Sequence, residues 1–220
     1  YSPDPVRQTR RLKREIDERM AMTQEKSPLG AIKKVVVVGG SLAGFRAAEA
    51  IRQQGFEGTL HFVGAETHAP YDRPPLSKEV LRGTWEPEKA TLVREDNFSK
   101  LNLELHLGCR ATALDPSSRE VELDNGQRLA YDGLVIATGA TPRTLPDTPD
   151  LTGIHTLRTL DDCLAIARAL EASPRVAVVG AGLVGAEVAA TCRQRGLEVT
   201  LIEPMPVPFG PTLGEDVGKA

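Results

Sequence analysis

The sequence predicts an α/β fold in which two strand–turn–helix units follow one another along the chain, with a small antiparallel meander inserted in the first. Three observations carry this. Residues 35–44 read Val-Val-Val-Val-Gly-Gly-Ser-Leu-Ala-Gly, and residues 176–187 read Val-Ala-Val-Val-Gly-Ala-Gly-Leu-Val-Gly-Ala-Glu. In each, a mostly β-branched run suited to a strand buried on both faces meets glycines and then a helix-forming stretch. Each is also followed by an acid: Glu66 lies 22 residues past Gly44, and Glu203 lies 18 past Gly185. A carboxylate about 20 residues on is placed to bond a ribose hydroxyl. Together these features describe two consecutive Rossmann-like dinucleotide-binding units on parallel sheets, in a three-layer arrangement.

The totals agree with a globular protein of one or two domains. The chain has 220 residues, 40% hydrophobic and 26% charged, with a formal net charge of −3. That charge gives no reason to expect nucleic acid or an anionic membrane surface as partner. No apolar run approaches the ~20 residues of a membrane span. Cys109, Cys163 and Cys192 are widely separated, with no CxxC pair and no metal-ligand spacing. They read as buried, inert thiols in a reducing cytoplasm, and no metal site is expected.

Residues 1–30 form a charged N-terminal extension, with a thin apolar stripe in a possible helix at Thr9–Met22. It reads as a solvated leader, or as a partner-binding helix. The first unit begins with strand 35–38 and helix 42–53. Gly39 allows the tight turn and Gly44 lets the helix pack close to the strand. The middle glycine of the usual pattern is replaced by Ser41. The helix start offers free N–H groups and a positive dipole end to a pyrophosphate. Thr59–Val63 is the second parallel strand.

The stretch Tyr71-Asp72-Arg73-Pro74-Pro75-Leu76-Ser77-Lys78 follows. Its prolines hold extended backbone and then permit a helix from Leu76 or Ser77. Lys78 is thereby placed in the first turn, where a cation opposes the dipole by about a few tenths of a kcal/mol. Thr84–Asn97 is a connector. Leu103–Leu107, Ala111–Leu114 and Val121–Leu123 read as short strands, and Asp124-Asn125-Gly126 as a hairpin turn, making the meander. The meander ends in Tyr131–Arg143, which reads as a buried strand running into Ala137-Thr138-Gly139. Leu145–Gly153 is a linker by composition. Thr159–Ala172 is an amphipathic helix with Asp161 and Asp162 in its first turn. The second unit then runs through strand 176–179, helix 183–194 and strand 198–202. The expected divisions are an extension at 1–30, a first nucleotide segment at 31–150 and a second, incomplete one at 151–220.

Residues 34–203 resemble the FAD-dependent, NAD(P)H-dependent ferredoxin reductases, the putidaredoxin- and rubredoxin-reductase-like branch of the pyridine nucleotide-disulfide oxidoreductase superfamily. Tyr71–Leu81 is the most specific stretch, and Tyr131–Arg143 is similar to the family's strand and Ala-Thr-Gly segment. The resemblance implies that FAD occupies the first site and NAD(H) the second. It implies FAD contacts at Gly39, Ser41, Ala43, Gly44, Glu66, Arg73, Lys78, Ala111, Thr138, Gly139 and Arg143. Contacts to the nicotinamide cofactor would come from Gly180, Gly182, Val184, Gly185, Glu187 and Glu203. Lys78 is implied to lie beside the flavin ring, and Glu187 near both Lys78 and the nicotinamide. An acid at Glu203 favours NADH over NADPH by repelling a 2′-phosphate.

The implied activity is electron transfer from NADH through FAD to an iron–sulfur ferredoxin of an oxygenase or cytochrome monooxygenase system. No cysteine pair lies on the first glycine helix or just after it, so a dithiol relay is not expected. The alternatives are a related flavoenzyme, such as a nitrite reductase-type NADH subunit or a coenzyme A disulfide-type relative, and a non-catalytic FAD/NAD-binding fragment. The family is typically about twice this length, so the resemblance implies a truncated, N-terminal half.

Overall fold

The computed structural model describes residues 32–93, 99–149 and 151–219. The helix expected at Thr9–Met22 and the end of the Thr84–Asn97 connector lie outside the described residues. Strand β1 (Lys34–Val38) pairs in parallel with β2 (Thr59–Gly64) on one side and β7 (Gly133–Ile136) on the other. A further strand, β3 (Glu104–Leu107), extends the parallel sheet beside β2, giving the order β3-β2-β1-β7. The strand expected at Leu103–Leu107 therefore joins the parallel sheet and stands outside the meander. Periodicity alone does not say which neighbour a short strand bonds.

Val35 and Val37 face Phe45 and Ala48 of helix α1 (Leu42–Gln53). Alternate residues Val36 and Val38 pack against Val121, Leu123 and Leu129 of the meander. Successive strand side chains point to opposite faces, so the four valines serve both layers. Helix, sheet and meander are the three layers. Phe45, Phe62 and Leu60 are fully buried, and each contributes about 1.5–3 kcal/mol. The meander is antiparallel: β4 (Ala111–Asp115), β5 (Glu120–Leu123) and β6 (Arg128–Ala130). Its hairpin turns at Gly126, with φ +82°.

The second unit contains α3 (Leu160–Ala169), β8 (Val176–Val179), α4 (Leu183–Gln194) and β9 (Val199–Ile202), with β8 parallel to β9. Short helices α5 (Gly210–Leu213) and α6 (Glu215–Lys219) follow. Thr159 caps α3: its side chain accepts from the Asp162 N–H while Asp162 accepts from the Thr159 N–H. This capping box satisfies two of the N–H groups left open at a helix start.

Between the units, Pro74–Ser77 forms a single 3₁₀ turn and Glu79–Arg82 a short helix, α2. Lys78 joins them at φ −124°, ψ −99°, outside helical space. The expectation that Lys78 lies in the first helical turn is corrected: it is the residue at which the helix breaks. Two neighbouring carbonyls are drawn outward, Leu76 O to Cys163 Sγ at 3.1 Å and Ser77 O to Thr191 Oγ1 at 2.7 Å. Tyr71, Leu76, Val80 and Leu81 share one buried cluster with Leu160, Cys163, Cys192 and Leu197. The distinctive stretch is thus the core between the two units.

Candidate functional site

The two glycine turns share one close backbone approach. Gly39 leaves β1 at φ +131°, and a Cβ there would stand 2.0 Å from Ala137 O. A Cβ on Gly44 would meet Gly39 O at 1.9 Å, and one on Gly185 would meet Gly180 O at 1.9 Å. Glycine at Gly44 and Gly185 is therefore what lets each helix lie against its own turn. Ser41 and Gly182 are the N-cap residues of α1 and α4. Neither helix has a side-chain cap bond or an acid in its first turn. Helix α3, by contrast, carries both. Ala43 and Gly44, like Val184 and Gly185, lie in these bare first turns, whose N–H groups suit a pyrophosphate. The cradles thus fit two dinucleotides.

Glu66, just past β2, holds one donor on each carboxylate oxygen. Arg73 Nη2 donates to Oε1 at 2.8 Å, and the Tyr71 hydroxyl donates to Oε2. Each oxygen keeps a lone pair for a further donor. The Tyr71 oxygen accepts from the Leu160 N–H at 2.9 Å, at the start of α3. Burial, then the bond to Glu66, raises the Tyr71 pKa, so it stays a neutral donor. Arg73 also donates through Nη1 to Arg158 O, and its buried Nε has no protein partner. A polar ligand atom would satisfy it.

Lys78 Nζ lies 2.9 Å from Glu187 Oε2, joining the distinctive stretch to the second glycine helix. The Ser77 hydroxyl donates to the same oxygen at 2.5 Å. The Ser77 bond, followed by Lys78, holds the Glu187 carboxyl below the ordinary range, so it is ionised at neutral pH. Glu203, at the end of β9, accepts from the Met205 N–H at 2.9 Å and the Ala181 N–H at 2.6 Å. These bonds lower its pKa, Met205 first. Ala181 belongs to the second glycine turn, so Glu203 is tied to that loop. Ala111 opens β4, half-buried. Thr138, Gly139 and Arg143 are exposed beyond β7, with Gly139 at φ +73°.

The profile of the pyridine nucleotide-disulphide oxidoreductases matches residues 33–220. The chain belongs to that family.

Within it, the chain is 41% identical over 173 residues to the ferredoxin–NAD(+) reductase component of the biphenyl dioxygenase system of Paraburkholderia xenovorans (strain LB400), covering 78% of this chain and 42% of that protein. It is 39% identical over 179 residues to putidaredoxin reductase of Pseudomonas putida, covering 80% of this chain and 42% of that one. Among solved structures, it resembles the reductase of the covalent putidaredoxin reductase–putidaredoxin complex with a TM-score of 0.78 and 36% identity, over 85% of this chain and 46% of that one. The chain spans less than half the length of these relatives. The resemblance drawn from Tyr71–Leu81 is borne out, as is the α/β class with a parallel and a small antiparallel sheet. No helix among the described residues is long and apolar enough to cross a membrane. All three cysteines are free. Cys163 and Cys192 are fully buried in the core between the units, and desolvation pushes the Cys163 thiol up to about 11.

Sequence reasoning missed Tyr71, Ser77, Arg158 and Thr191 as parts of this site. Ser77 meets Glu187 across 110 residues, a separation at which no local pattern operates. Tyr71 was legible as part of a distinctive stretch, although its partners were not.

Proposed function

We propose that this chain carries the FAD- and NADH-binding core of a cytoplasmic flavoprotein reductase that passes electrons from NADH to an iron–sulfur ferredoxin, with neither membrane nor nucleic acid as partner. The observation that carries this reading is the Lys78–Glu187 ion pair, 2.9 Å long, bridging the two nucleotide units. Flavin, when bound, supplies the conversion between a two-electron hydride and single electrons. The chain's own residues supply position and charge. Gly39, Ser41, Ala43 and Gly44 would cradle the FAD pyrophosphate. Glu66, fixed by Arg73 and Tyr71, would bond the ribose, and Ala111, Thr138, Gly139 and Arg143 would line the rest of the nucleotide. Gly180, Gly182, Val184 and Gly185 would cradle the second pyrophosphate, with Glu203 on the ribose.

Lys78 would place a fixed cation beside the reduced ring, where it favours added electron density. Glu187 would hold that ammonium in place and face the nicotinamide. The name of the family includes a disulphide, but two buried cysteines and no paired ones argue for direct delivery from flavin to a one-electron acceptor. Residues 31–150 and 151–220 would be the FAD and NAD segments. The test is to mix the protein with FAD and then with NADH and a ferredoxin. Tight uptake of yellow cofactor and NADH-dependent ferredoxin reduction are expected, and a protein that stays colourless overturns the reading. Replacing Glu203 with Ala should narrow the preference for NADH over NADPH, and an unchanged ratio removes Glu203 from the ribose site.

A further inference from the structure

Parallel pairing of β2 with β3 sets His61 opposite Glu104, and His106 follows two residues along β3. A period of two along a strand puts all three on one face. It is the face of Val36, His61's register partner in β1, away from α1. His61 Nδ1 lies 3.1 Å from His106 Nε2 and 3.2 Å from Glu104 Oε2. The three ligand atoms lie within 4.8 Å of one another. Ligands about 2.0–2.1 Å from a tetrahedral ion stand about 3.3 Å apart. Two of the three edges therefore already have the dimensions of a coordination shell. The His61 side chain is 12% exposed and that of Glu104 60%, so the cluster is walled on one side and open on the other.

We propose that His61, Glu104 and His106 bind a zinc-class divalent cation through two imidazole nitrogens and one carboxylate, with water completing the shell. The donor set selects the metal: imidazole suits zinc and its transition-metal neighbours, whereas calcium and magnesium prefer all-oxygen shells. Lys34 acts on His61 with the opposite sign to Glu104 and would weaken the site. Such an ion would clamp the edge strand β3 to β2. Its role would be structural.

An ordinary hydrogen bond between the two rings gives the same 3.1 Å contact, so the experiment must detect the ion itself. Cobalt(II) titrated into the 220-residue chain should give the visible bands of a tetrahedral site at one ion per chain, displaced by zinc. Glu104→Gln, at an exposed position, and His106→Gln should each weaken binding by at least about tenfold, the smallest loss seen even for outer-sphere partners. Cys109→Ser should leave binding unchanged. Zinc should raise the Tm of the wild-type chain and leave that of His106→Gln unmoved. The absence of a tetrahedral spectrum, wild-type affinity in Glu104→Gln or His106→Gln, or bands lost with Cys109→Ser would each overturn the proposal.

Discussion

Glu187 takes two donors on one oxygen, the Ser77 hydroxyl and the Lys78 ammonium. Both favour the carboxylate, so its folded pKa lies below the unfolded value of about 4.3. The linked stability is present above that value and is lost as pH falls through the folded pKa. Its side chain is 38% exposed, so solvent screening keeps the pair within about 1 kcal/mol. Glu187→Gln should lower the urea midpoint at neutral pH, with the difference from wild type shrinking below about pH 4. Equal differences at both pH values would contradict this. The functional consequence of the same pair is larger. In FAD-loaded protein, Lys78→Ala should slow NADH-dependent bleaching of the flavin by about 10²-fold, the scale for removing one preorganised charge partner. An unchanged stopped-flow rate removes Lys78 from the flavin site. The resemblance made this pair legible, but it did not reveal Ser77, whose hydroxyl meets α4 once the chain has folded back on itself.

Local chemistry was enough to place the glycine helices. The bounds read for α1 and α4 from their glycines and apolar runs are the observed ones, Leu42–Gln53 and Leu183–Gln194. In both, the turn and cap are dictated by residues within a few positions. Lys78 shows where such reasoning stops. Its break depends on Cys163 and Thr191, which draw carbonyls out of a helix that the prolines alone would allow. Strand β3 was likewise visible as a strand, while its place in the sheet was not. At this scale Gly44→Ala should destabilise the fold by about 1–3 kcal/mol, because its new methyl meets backbone that has nowhere to go. Thr159→Ala removes half of the capping box and should cost about 1 kcal/mol. Chemical denaturation of each variant measures both, and a neutral Gly44→Ala would mean that α1 stands farther from its turn than described.

Across the molecule, the buried cluster of Tyr71, Leu76, Leu81, Leu160, Cys163 and Cys192 holds the two units together. Leu81→Ala should cost about 2–5 kcal/mol, the range for a fully buried leucine. Differential scanning calorimetry should then show the single transition broadening or splitting. A sharp, unshifted peak would mean that the units are joined elsewhere. Three polar tethers run alongside the cluster, to Leu76 O from Cys163, to Ser77 O from Thr191 and to Leu81 O from Arg195. All three donors come from the later half of the chain. During synthesis, which presents the N-terminal half first, the segment around Lys78 would emerge from the ribosome with none of its tethers and would acquire the last only after Arg195 clears the exit tunnel. A nascent chain stalled shortly before α4 should therefore be cut by protease near Lys78, and one stalled well past β9 should resist.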